Sequence, residues 1–185
     1  ADGDTKSNAS IQVSKLELQE ATEEMALLLT NNGCDIILLE MMYRPERMKI
    51  IFDIVKKLNI PIWVCFSCRK SDKGEILSLT DETVVPFSEM IAISKEYNFG
   101  AWGIMHTSED ILGECIKMIK ANFNGPILAY PDTGGWISPN WIFDSVIEPE
   151  KFKEKANGWF ALGAQIIGGC CGTSPDHIRA LATLK

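Results

Sequence analysis

The residues best suited to chemistry in this chain are two adjacent thiols, Cys170 and Cys171, with Gly168 and Gly169 before them and Gly172 after. They follow Gln165-Ile166-Ile167, which reads as a short buried strand. They precede Thr173-Ser174-Pro175, where cap-type residues and a proline suited to a first helical position predict a helix. Neighbouring strand residues point to opposite faces, so two cysteines packing as apolar groups would send one thiol the wrong way. Beyond the strand end the glycines free the backbone, and both sulfurs can turn toward one point. A thiolate pair suits zinc, which takes Cys and His ligands at tetrahedral angles. A reduced buried pair and a strained vicinal disulfide are the other readings of adjacent cysteines. The chain has two histidines: His106, which closes an apolar run, and His177, six positions after Cys171.

These side chains must be placed by what surrounds them. Continuous apolar runs over 34–40 (CDIILLE), 60–68 (IPIWVCFSC), 100–106 (GAWGIMH), 125–131 (GPILAYP) and 164–169 suit strands buried on both faces of a parallel sheet. Helical periods separate them: a helix capped by Ser14 with Glu17 as the partner of a capping box, ended at Asn31-Asn32-Gly33, then helices over 45–58, 83–98, 108–122, 151–162 and 176–184. Leu16, Ala21, Met25, Leu28 and Leu29 supply the apolar period of the first helix. Alternating strand and helix predicts an α/β fold with one parallel sheet. In such folds ligands bind beyond the carboxyl ends of the strands. Those ends read Glu40, Ser67 or Cys68, His106, Asp132, and Cys170 with Cys171, all on one rim. The loop over 132–149 is long and rich in Gly, Pro, Ser and Trp, which predicts a functional loop able to fold over something.

Composition narrows the class. The 185 residues carry a net charge of −7, with 46% hydrophobic and 23% charged residues. That describes one globular domain without the basic surface a nucleic acid or anionic membrane would need. No apolar run approaches the roughly 20 residues of a membrane helix. Six cysteines in a chain of this size point to a reducing compartment, the cytoplasm, rather than to a disulfide framework. Residues 1–12 read as a polar tail, and 13–185 as the domain.

From about Leu16 onward the chain resembles the zinc-dependent homocysteine S-methyltransferases, which use betaine or S-methylmethionine as donors. The most specific piece is Ile166-Ile167-Gly168-Gly169-Cys170-Cys171-Gly172-Thr173, followed by Pro175, His177, Ile178, Arg179 and Ala180. Supporting pieces are DIILLE at 35–40, Pro61-Ile62-Trp63-Val64 with Phe66-Ser67, and Pro126-Ile127-Leu128 with Tyr130-Pro131. The resemblance implies a (β/α)8 TIM barrel, of which these pieces match the fourth to eighth strands. About five βα units are visible against the eight of a barrel of roughly 250 residues, so a partial barrel lacking its N-terminal part is expected. A homo-oligomer or a complementing N-terminal barrel half would cover the open sheet edges.

The resemblance also implies an activity and its residues. Zinc held by Cys170, Cys171 and a third ligand activates the thiol of homocysteine, which takes a methyl group from a sulfonium or ammonium donor to form methionine. The third ligand of the family is a cysteine in an Asn-Cys pair; here the matching positions read Met105-His106. Imidazole also ligates zinc, so His106 is expected to complete a Cys2His site; a satisfied polar histidine in a site without zinc is the other reading. A neutral ligand in place of a thiolate makes the centre less negative, which weakens thiolate nucleophilicity or changes metal affinity. Glu40 matches the family glutamate that holds the substrate ammonium, and Asp132 stands where the family has Asn. Tyr130, Trp136 and Trp141 offer aromatic faces to a cationic donor. Cys34, Cys65 and Cys115 are expected to pack as small hydrophobes; Cys68, at a strand end, could reach a metal but is not expected to ligate it; His177 is expected to cap or orient the last helix, a supporting role toward Cys170 or Cys171 being the alternative. Against catalysis stands a non-catalytic barrel fragment or interaction subunit; a different thiol or selenol acceptor is a further alternative.

Overall fold

Five strands form one sheet in the order β1 (Ile37–Met42), β2 (Ile62–Phe66), β5 (Ala101–Ser108), β6 (Ile127–Asp132) and β9 (Ile166–Ile167). Every pairing is parallel. The computed structural model describes residues 13–80, 83–137, 140–143 and 146–184; the polar tail expected over 1–12 lies outside them. Helices occupy the connections: α1 (Lys15–Asn31) before the first strand, then α2 (Pro45–Val55), α3 (Phe87–Ser94), α4 (Leu112–Lys120), α5 (Pro149–Leu162) and α6 (Pro175–Leu181).

The apolar runs become strands because each can be covered on both faces. On the helix side, Val64, Phe66, Trp102, Ile104, Ile127 and Ala129 pack with Phe52, Phe87, Ile116 and Phe152 in the main core. The other face carries smaller groups: Cys65, Ala101, Met105 and Leu128, bordered by Met41, Trp63, Tyr130 and Ile166. Gly103 is required there, since a Cβ would stand 2.6 Å from both the Cys65 Sγ and the Leu128 Cβ. The Ser14 capping box at the start of α1 forms as expected, with Glu17 N–H donating to Ser14 Oγ at 3.2 Å and Ser14 N–H to Glu17 Oε2 at 2.8 Å.

Several expectations are corrected. The run expected as one strand over 60–68 ends at Phe66, and Cys68–Lys70 (β3) turns back on Ile76–Ser78 (β4) as an antiparallel hairpin around the polar loop at 71–74. The helix expected from 83 starts at Phe87, because Pro86 holds the extended conformation of its N-cap. The loop over 132–149 contains a second hairpin, β7 (Gly135–Ile137) with β8 (Asn140–Ile142). On α1 only Ala26 is buried, while Leu16, Met25 and Leu28 are exposed; the helix packs mainly on α2. Cys34 lies ahead of β1 and is partly accessible, not a strand residue packed in the core.

Candidate metal centre

The cysteine pair is held by hydrogen bonds that continue the β6–β9 ladder past Ile167. Gly168 N–H donates to Ala129 O at 3.0 Å, Cys170 N–H to Pro131 O at 2.9 Å, and Thr133 N–H to Cys171 O at 2.8 Å. The chain then reverses through Gly172, whose φ of +81° favours glycine. Thr173 closes the turn, its hydroxyl donating to Cys170 O at 2.6 Å. Both thiols are half-buried, with sulfurs 3.8 Å apart, so no disulfide joins them.

His106 reaches the same point from β5. The register of β5 against β6 shifts between Met105 and Ser108, and within that bulge His106 adopts a φ of +43°. A non-glycine residue gives up roughly 1 kcal/mol to hold such a conformation, so the surrounding structure must enforce it. β1 carries a matching irregularity between Leu39 and Met42, with Met41 at +57°. From its bulge His106 brings Nδ1 to 3.9 Å from Cys170 Sγ and 3.8 Å from Cys171 Sγ.

The three donors form a nearly equilateral triangle. Tetrahedral zinc, with Zn–S near 2.3 Å and Zn–N near 2.0 Å, separates sulfurs by about 3.8 Å and sulfur from nitrogen by about 3.6 Å. The donor set and its spacing therefore fit zinc with one coordination position left open. Among the described residues this is the one group of three or more His, Cys, Asp or Glu side chains whose donor atoms converge in this way.

The remaining rim residues fall around it. Asp132 Oδ2 is 3.9 Å from His106 Nδ1, too long for a hydrogen bond. Burial raises the Asp132 carboxyl above its ordinary range, and the neighbouring His106 acts in the opposite direction. Glu40 is exposed within β1, at its irregularity between Leu39 and Met42 rather than at the strand end expected for it, and its Oε1 accepts from the Tyr130 hydroxyl at 3.4 Å. Burial, with Cys65 and Glu40 nearby, raises the half-buried Tyr130 phenol, so it is a donor rather than an anion at neutral pH. Cys65, beside Tyr130 on the inner face, is pushed up to about 12 by burial and is an inert thiol. The side chains of Trp136 and Trp141 lie outside the described residues.

Cys68 and His177 both stand apart from the cysteine pair. Cys68 is buried against Cys115, and burial followed by that neighbour keeps its thiol protonated; it is not in the metal group. His177 caps α6 as expected, with Nδ1 accepting from Ser174 N–H at 3.0 Å and Nε2 donating to Ile147 O at 2.7 Å, which leaves neither nitrogen for the cysteines. No motif in the sequence singles out Thr107, and Ser67 stands out only as a strand end and as part of the family-matching Phe66-Ser67 pair. Both hydroxyls meet the carbonyl immediately before His106: Ser67 Oγ donates to Met105 O at 3.0 Å and Thr107 Oγ1 at 2.8 Å. A hydroxyl residue directly after a candidate ligand was the available signal.

Comparison with known proteins places the chain. The homocysteine S-methyltransferase family model matches residues 2–184. The chain belongs to that family. A member from Arabidopsis thaliana, homocysteine S-methyltransferase 3, is 27% identical over 175 residues, covering 92% of this chain and 49% of its own length. Homocysteine S-methyltransferase YbgG of Bacillus subtilis is 26% identical over 185 residues, covering 98% of this chain and 56% of its own. The chain thus spans about half the length of the curated relatives it matches. In fold it is similar to the homocysteine methyltransferase MmuM from Escherichia coli in its metallated form. The TM-score is 0.73 at 21% identity, over 97% of this chain and 55% of that one. The five-stranded parallel sheet and its helices are accordingly part of a TIM-type barrel, as expected from the sequence. Among the described residues, no helix is long and apolar enough to cross a membrane.

Proposed function

We propose that this family member carries the thiol-activating centre of a zinc-dependent homocysteine S-methyltransferase, with Cys170, Cys171 and His106 as the zinc ligands. The observation that carries the reading is the triangle of His106 Nδ1, Cys170 Sγ and Cys171 Sγ, with sides of 3.8 to 3.9 Å. Zinc there would supply Lewis acidity that lowers the proton affinity of an incoming thiol. The chain's own residues do the rest. Glu40, an exposed carboxylate at the rim, is suited to hold the ammonium group of homocysteine. The Tyr130 hydroxyl fixes that carboxylate, and the Tyr130 ring offers a face to a cationic donor. Asp132, beside His106, borders the acceptor side. In the reaction the homocysteine thiol gives its proton to solvent, and its sulfur forms a bond to the methyl carbon as the bond from that carbon to the sulfonium sulfur or ammonium nitrogen breaks; the bonding pair stays on the departing atom, which becomes a neutral thioether sulfur or amine nitrogen. The free thiols of all six cysteines suit a reducing compartment such as the cytoplasm.

A second reading is favoured by the half-length match and by the sheet edges at β1 and β9: a fragment that folds and associates, with itself or with a complementing barrel half, and performs no transfer alone. Elemental analysis of the purified chain and of His106→Ala separates the two. One zinc per chain, lost or weakened in the variant, followed by methylation of homocysteine from a sulfonium or betaine donor, is the expected result. No zinc under reducing, chelator-free conditions, even after zinc is added back, overturns the catalytic reading. Zinc without transfer leaves the ligand assignment standing and favours the fragment.

A further inference from the structure

Nothing in a β-strand sequence makes a histidine left-handed, yet His106 holds a φ of +43°. In the ordinary strand conformation its ring would follow the alternation of the strand. The bulge instead turns Nδ1 onto the two sulfurs. The peptide entering His106 is gripped through its carbonyl. Met105 O accepts two hydrogen bonds, from Ser67 Oγ at 3.0 Å and Thr107 Oγ1 at 2.8 Å. Thr107 Oγ1 is itself oriented, because it accepts from Cys68 N–H at 2.9 Å and so has its proton free for the Met105 carbonyl. Both hydroxyl residues are buried, Ser67 at 0% and Thr107 at 1% exposure, where an unmade hydrogen bond is not replaced by water. The grip therefore joins two segments: the β2–β3 junction, which brings Ser67 and Cys68, and the end of β5, which carries both Thr107 and the peptide that sets the ring direction.

We propose that Ser67 and Thr107 are positioning residues for the third metal ligand, holding the Met105 carbonyl so that His106 keeps its imidazole on the cysteine pair. The inference rests on the zinc reading above, since it concerns how the His106 ligand is presented. Residues that orient a metal ligand typically contribute 10- to 100-fold in metal affinity.

The test measures zinc affinity by competition with a chromophoric chelator, and the visible spectrum of the cobalt-substituted protein. The proteins are wild type, His106→Ala, Ser67→Ala, Thr107→Val and Thr107→Ser, with Ser78→Ala as control. Ser78 is a buried residue on the neighbouring hairpin whose hydroxyl has no hydrogen-bond partner among the described residues, so its loss tests packing there. Circular dichroism establishes that each variant is folded. The expected result is a loss of about 10- to 100-fold in zinc affinity for Thr107→Val and Ser67→Ala, with a changed cobalt spectrum. Thr107→Ser, which keeps the hydroxyl, and Ser78→Ala should stay within about threefold of wild type. Folded Ser67→Ala and Thr107→Val proteins with wild-type affinity and spectrum overturn the positioning role while leaving His106 a ligand. Equal affinity in wild type and His106→Ala overturns the ligand assignment and this inference with it. If Thr107→Val proves unfolded, Ser67→Ala against Ser78→Ala decides the question.

Discussion

Gly172→Ala tests how tightly the cysteine turn is built. Gly172 has a φ of +81°, and a Cβ there would overlap the Thr133 carbonyl, standing 2.7 Å from its carbon. Two costs add. The left-handed conformation costs an alanine about 1 kcal/mol relative to glycine. The obstructing atoms are backbone, so relief requires Thr133 to retreat. That breaks the 2.8 Å bond from Thr133 N–H to Cys171 O, worth about 1 kcal/mol, and leaves a buried carbonyl or amide short of a partner. The sum is a destabilisation of about 3 kcal/mol. The matched comparison is Gly158→Ala inside α5, where an added Cβ meets nothing within 4 Å. It should stabilise by about 0.5–1 kcal/mol through helix propensity. Urea denaturation of both variants, with zinc stoichiometry measured on each, reads the difference directly. If Gly172→Ala costs less than about 1 kcal/mol and binds zinc normally, the turn is not the rigid support described here.

Native alkylation with iodoacetamide, mapped by mass spectrometry, should label Cys34, Cys170 and Cys171 at least about tenfold faster than Cys65, Cys68 and Cys115, which are buried. Zinc should then shield Cys170 and Cys171 but not Cys34; rapid labelling of Cys68 or Cys115 would contradict their burial. Alkali should also expose Cys65. Burial holds its thiol protonated to about 12, against 9.0 for an ordinary thiol. Between those values the unfolded chain has released a proton that the folded chain keeps, so stability falls as pH rises. Cys65→Ala should flatten that fall in urea midpoints taken from about pH 8 to pH 10, and parallel curves would refute the assignment.

The strands were legible because each is a short apolar run with turn residues on both sides, as at Ile62–Phe66 and Ile127–Asp132. The common rim followed from parallel pairing, which brings every carboxyl end to one side. What escaped was long-range or conformational. The β3–β4 hairpin is too short for its period to register, and Cys68 reads as a strand end until its partner Cys115 is known. The apolar period of α1 suggested a buried face, but a period does not say whether anything covers it. His106 could be named as a ligand position through the family resemblance. Its aim could not, because the Met105 carbonyl is held by Ser67, 38 residues away in sequence.

The separation of the donors has a mechanical consequence. His106 and Cys170 are 64 positions apart, and β9, the strand before the cysteines, is two residues long and pairs with β6 alone. An ion shared by the three donors is a cross-link closing a loop of that length. Because such an ion binds the folded arrangement and not the unfolded chain, it would stabilise the fold by mass action, by about 4 kcal/mol at a free concentration a thousand times its dissociation constant. The last βα unit stands at the edge of the sheet, bonded to β6 on one side only, and is the part such a tie would hold. An ion bound by the three donors would therefore also hold the C-terminal segment in its docked position.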